Sequence, residues 1–151
     1  AVEAVAAPDR RDDALDDLAE PVEQPPAQLV EVEGEPVRYR LLETVREFGA
    51  ARLDERGATE AVRTAMIRWG RDFAAARNLF TLTGPEQLDR FHEVQREADN
   101  LVTLLRWSLR ADDASATAHV FAALGAYWTL RGAHGEVTAI AWDVVAVLRS
   151  I

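Results

Sequence analysis

The sequence predicts a mainly α fold: a short acidic helix, a β-hairpin, and then antiparallel helices joined by short loops. Three observations predict it. Period-two alternation in "EPVRYRL" gives way at Leu42 to apolar residues spaced three and four apart. From there to residue 151 only helical rhythms recur. Gly57, Gly132 and the polar stretch "RADDAS" (110–115) punctuate those rhythms where helices would end.

Before the hairpin, "DDALDDLAEPVEQ" (12–24) places Leu15, Leu18 and Val22 on one side of a short helix. Asp12 or Asp13 can accept from its free N–H groups, and Pro21 weakens its last turn. "QLVEVEG" and "EPVRYRL" then read as two strands around a turn at Gly34. Glu31 and Glu33 are expected opposite Arg38 and Arg40, an arrangement in which each pair contributes about 0.2–1 kcal/mol.

The first long helix is predicted over 42–56, ending at Gly57. The second covers 59–79, with Val62, Met66, Trp69, Phe73, Ala76 and Phe80 on its seam. "TLTGPEQL" predicts a capping box, Thr83 with Glu86, with Pro85 in the first turn. The third helix carries Leu88, Phe91, Ala98, Leu101, Leu105 and Leu109, with a break expected near 97–100. The fourth runs over 115–131, and the fifth starts near Gly135.

Composition excludes several functions. Apolar residues make up 48% of the 151, enough for a packed core, and no apolar run approaches the roughly 18 residues of a membrane span. Cysteine is absent, so disulfides and thiolate chemistry are excluded, and a cytoplasmic setting is expected. The opening residues lack a signal peptide's basic start and apolar middle, and with no initiator Met the sequence reads as a piece of a longer protein. All 17 basic residues are Arg, so a phosphate loop that needs Lys is ruled out.

The net charge of −9 lies entirely in residues 1–35, which hold 11 acids and two Arg; the remaining 116 residues are neutral. Replacing counterions on nucleic-acid phosphates needs clustered positive charge, and neither part offers it. The helix at 12–24 carries six acids and no base, so DNA binding through this segment is not expected. A winged-helix nucleic-acid-binding module remains the alternative reading.

The remaining chemistry-bearing residues have structural readings. His92, His119 and His134 lack metal-ligand spacing; His92 is expected to pair with Glu93 on a helix surface, and His119 to lie at a helix–helix contact. Glu43 with Glu47, and Glu93 with Glu97, are paired carboxylates with Arg46 and Arg96 nearby, which fits a solvated, salt-bridged face rather than acid–base catalysis. Trp69, Trp107, Trp128 and Trp142 fall in helical patterns and are expected to fill cores or seams. No catalytic residue, cofactor or metal site is assigned, and the chain is not expected to be an enzyme.

Helix, helix, hairpin is the order of the second half of a winged helix. "RYRLLETVREFGAARL" (38–53) resembles the segment that follows the winged helix in the large actinobacterial signal-transduction ATPases with numerous domains, among them transcriptional regulators of the antibiotic-pathway and LuxR types. "EADNLVTLLRWSL" (97–109) resembles their acid-x-Asn-Leu helix. In "ALGAYWTLRGAHGEV" (123–137), Leu124, Gly125, Trp128 and Gly132 fall where a tetratricopeptide repeat has Leu, Gly, an aromatic and the turn Gly, although Val137 stands where the repeat prefers Ala.

The resemblance implies three parts: 1–41, the end of a winged-helix-like domain; 42–112, a linking helical bundle; and 113–151, the start of a tetratricopeptide-like array. It implies a joint between a nucleotide module and a helical sensor, with Leu42, Val45 and Phe48 packing between domains. The partner is expected to be protein, either other domains of the same chain or a signalling partner, and no membrane is implied. One repeat cannot bury its own apolar face. Tyr127, Trp128, Ile140, Val144 and Val147 are therefore the expected partner surface; Ala139, Ile140, Val144, Val147 and Leu148 are expected to be partly exposed and to promote self-association.

Overall fold

The computed structural model describes residues 27–30, 38–41, 43–77 and 85–149. The acidic helix expected at 12–24, the turn at Gly34, Leu42 and the start signal at Thr83 lie outside the described residues. The chain divides into two units, Ala1–Val62 and Arg63–Ile151.

In the first unit, β1 (Ala27–Val30) pairs antiparallel with β2 (Arg38–Leu41), Ala27 opposite Leu41 and Val30 opposite Arg38. The register corrects the expected charge pairing. Arg38 and Arg40 face Val30 and Gln28, and Glu31 and Glu33 lie outside the described residues. One residue after β2, α1 (Glu43–Glu55) begins. It closes where Gly57 takes φ of 63°, letting Ala58 N–H reach Leu53 C=O at 2.9 Å and Gly57 N–H reach Asp54 C=O at 2.9 Å. This is the left-handed close that satisfies a helix's last carbonyls. α2 (Thr59–Ala75) follows at once, and the division between the units falls within it.

The second unit adds α3 (Gln87–Arg110), α4 (Ala114–Leu130) and α5 (His134–Leu148). The close seen after α1 recurs twice. Asp113 N–H bonds Ser108 C=O and Asp112 N–H bonds Leu109 C=O, with Asp112 at φ of 50°; Ala133 and Gly132 repeat the pattern on Trp128 and Thr129, with Gly132 at φ of 73°. Asp113 then caps α4, its Oδ1 accepting from Ala116 N–H at 2.9 Å. Connections this short force antiparallel neighbours.

Side-chain contacts confirm that direction. Phe91 stacks 5.2 Å from Tyr127, and Thr117 Oγ donates to Ser108 Oγ at 3.1 Å, so α3 rises as α4 descends. Ser108 passes the bond on to Leu105 C=O at 2.9 Å, which satisfies both hydroxyls in a fully buried position.

The larger core cluster runs through α2, α3, α4 and α5, with Ala74, Val94, Leu101, Leu105, Leu124 and Val144 almost wholly buried, and a smaller one joins Ile67, Leu104 and Ala116. α3, α4 and α5 share the larger core. α4 buries a broad apolar face between α3 and α5 and leaves Ser115, His119 and Thr129 exposed. α3 also differs from expectation. It runs unbroken through 97–100, where Asn100 donates to Glu97 at 2.6 Å and Thr103 Oγ to Asp99 C=O at 3.0 Å. It starts at Gln87, with Glu86 at the cap position, where its carboxylate accepts from Arg90 Nη2 at 3.1 Å and from no backbone N–H.

Candidate functional site: an apolar groove with charged rims

α3 and α5 flank α4 and leave an open groove of about 620 Å³ between them. Its floor is apolar: Leu105 and Val147 are buried, and Val102, Leu109, Trp128 and Ile140 are half-buried. Its two rims carry opposite charge. Arg106 and Arg110, one helical turn apart, line the α3 side; Glu136 and Asp143, two turns apart, line the α5 side. Among the described residues none of these four side chains is engaged in a hydrogen bond or ion pair. Arg110 in the last turn of α3 and Glu136 in the first turn of α5 complement their helix dipoles. Arg106 lies one turn before the end of α3, and Asp143 sits in the C-terminal half of α5, where a carboxylate gains nothing from the dipole.

The structure redistributes the expected partner surface. Trp128, Ile140 and Val147 line the groove. Tyr127 and Val144 are corrected to core, at 3% and 2% exposure. Tyr127 falls on the same side of α4 as Val120 and Leu124, against α3, and its hydroxyl accepts from Arg131 Nη1 at 2.7 Å. Of the residues expected to be left partly bare, Ala139 and Leu148 are exposed and Ile140 is half-buried. Trp142, expected to fill a seam, is 78% exposed, because α4 covers only one side of α5.

The expected interdomain packing is also redistributed. Val45 is half-buried, whereas Phe48 is 61% exposed with the Arg52 guanidinium 5.1 Å over its ring. Arg52 lies one turn on, so Phe48 covers itself with its own helix rather than with a neighbour.

Glu93 does not pair with His92. It accepts from Arg77 Nε at 2.6 Å and Arg90 Nη1 at 3.1 Å. Burial pushes its carboxyl upward, but the hydrogen bonds and charges of Arg77 and Arg90 outweigh that and hold it below the usual carboxylate range. His119 is exposed rather than at a helix contact; its Nδ1 lies 2.7 Å from Ser115 C=O, which can only accept, so that nitrogen carries the proton. Among the described residues no group of three or more His, Cys, Asp or Glu is placed to hold a metal. No helix among them is long and apolar enough to cross a membrane.

No family model, curated protein or solved structure matches this chain. The groove is what the structure adds to the sequence reading. The rim charges passed for ordinary solvated residues in the sequence. Their only signal was spacing, i to i+4 for the Arg pair and i to i+7 for the acids, which puts each pair on one helix face. That the two faces oppose each other depends on α4 lying between them. What such a lining supplies is apolar area for burial and fixed charges for orientation.

Proposed function

We propose that this chain is a non-catalytic regulatory and interaction segment of a multidomain transcriptional-regulator ATPase of the kind its sequence resembles. In this reading β1 and β2 are the wing of a winged helix, α1 is the helix leaving it, and α3, α4 and α5 begin a tetratricopeptide-like sensor. Nucleotide hydrolysis belongs to a module outside this segment, in a cytoplasmic protein.

The observation that carries the reading is the groove. Its apolar floor and oppositely charged rims are presented by three helices that share a core, so a docked protein segment would meet a preformed surface. A partner that binds one arrangement of the array more tightly than another shifts the population, and a nucleotide module coupled to the array responds.

The test uses the intact regulator. Nucleotide turnover is measured for the wild type, for Trp128→Ala with Asp143→Arg in the groove, and for Val45→Ala with Phe48→Ala in α1. A relay predicts that both double variants change turnover by about fivefold or more, the low end of allosteric coupling. Turnover unchanged in both sinks it. A salt-dependent shift of labelled duplex DNA at micromolar protein would favour the nucleic-acid-binding alternative instead, against the excess of acid in residues 1–35.

A further inference from the structure

The groove is about the width of one helix. α3 and α5 each pack along α4 but barely meet each other. Packed helices lie about 8–10 Å apart, so two helices on either side of a third leave a channel that one more helix fills. Along α5 the channel runs from Glu136 to Val147, about 17 Å at the helical rise, or three turns. Trp128, Ile140, Leu109 and Val147 keep its floor apolar.

The rims fix what such a helix carries. Arg106 and Arg110 call for two acids about 6 Å apart, the distance from i to i+4. Glu136 and Asp143 call for two bases about 10.5 Å apart, the distance from i to i+7. An apolar stripe between those flanks covers the floor. Reversing a helix in a groove exchanges its flanks, so only one direction sets these charges against both rims.

This chain does not supply that helix. Among its 17 basic residues, all Arg, only Arg56 and Arg63 stand seven apart, and the close at Gly57 falls between them. A second copy therefore offers no helix with the spacing of the α5 rim.

We infer that the groove receives an amphipathic α-helix of a different protein. Its apolar stripe is flanked by two acids four residues apart on one side and two bases seven residues apart on the other. The inference rests on reading the groove as a docking surface and names its occupant.

The experiment titrates peptides into the 151-residue chain by calorimetry at about 0.15 M salt, which screens long-range attraction to the acid excess of residues 1–35. Three helical peptides of about 14 residues, built on Ala and Leu, share one apolar stripe. The mixed peptide carries two Glu four apart on one flank and two Arg seven apart on the other. The basic peptide has Arg at all four places, and the acidic peptide has Glu. The wild type is expected to bind the mixed peptide with a dissociation constant below about 200 μM, and the other two about fivefold or more weakly. Arg106→Glu with Arg110→Glu makes both rims acidic, and the basic peptide should then bind about fivefold or more tightly than the mixed one. Glu136→Arg with Asp143→Arg makes both rims basic and should favour the acidic peptide in the same way. Circular dichroism and urea midpoints check that each variant is folded.

No binding of the mixed peptide overturns the inference. So does a wild type that prefers the basic or the acidic peptide, or a folded rim variant that keeps the wild-type order of preference. Sedimentation velocity adds one more outcome: self-association of the wild type that rim reversal abolishes puts a second copy in the groove and also overturns it. The relay is read separately. Groove variants that alter nucleotide turnover in the intact regulator, with no binding of the mixed peptide, leave the relay standing and remove this occupant; binding with unaltered turnover does the reverse.

Discussion

At Gly70 the packing of α2 on α3 leaves no room for a side chain. A Cβ built there would stand 2.5 Å from Leu104 Cδ1, and Leu104 is itself only 1% exposed. Alanine gains about 1 kcal/mol of helix propensity over glycine but forces a buried leucine off its rotamer, a cost of about 1–3 kcal/mol. Gly70→Ala is therefore expected to lower stability by about 1 kcal/mol in urea unfolding, and to cost nothing in a Leu104→Ala background. Asp112 gives the opposite case. It holds φ of 50° at the position that Gly57 and Gly132 occupy in the other two helix closes. Asp112→Gly relieves that strain at some entropic cost, and a net gain of about 0.5 kcal/mol is expected in the same measurement. The sequence marked the two glycines as helix ends. It did not mark Gly70, because the need for a missing side chain there arises from Leu104, 34 positions away.

Between elements, the end of α2 is fastened to α3 by one partly buried cluster. Arg77 caps α2 by donating to Phe73 C=O at 3.0 Å, lies 3.9 Å over the Phe73 ring, and reaches Glu93 on α3, where Arg90 also bonds. Because Glu93 is held below its usual range in the fold, its contribution is present above the unfolded carboxylate pKa and is lost as pH falls through the folded value. With the Glu93 side chain 28% exposed, screening limits the contribution to about 1 kcal/mol. Glu93→Gln should thus be less stable than wild type at neutral pH by about that amount, with the difference closing in acid below about pH 4; urea midpoints across pH check it, and a gap that persists unchanged in acid refutes it. The pairing of α4 and α5 shows a second element-scale effect. Both are rich in apolar residues, yet α4 has neighbours on two sides and α5 on one, and Trp142 is left bare as a result.

For the molecule as a whole, charge is segregated along the chain and again across the groove. The acid excess of residues 1–35 makes copies repel at long range, whereas the body is neutral and its rims pair signs locally.

Local chemistry written in the chain sufficed for the helices. Glycines at 57 and 132, the Asp113 cap and apolar residues at three- and four-residue spacing fix where α1, α4 and α5 stop and start, because those signals act within one turn. Tertiary structure alone decided which apolar faces are covered: Tyr127 is buried while its neighbour Trp128 lines a groove, and Val144 is core while Trp142 is bare. The rims were beyond sequence reading for the same reason. Arg106 and Asp143 are 37 positions apart, and they share a groove only because α4 packs between the helices that carry them.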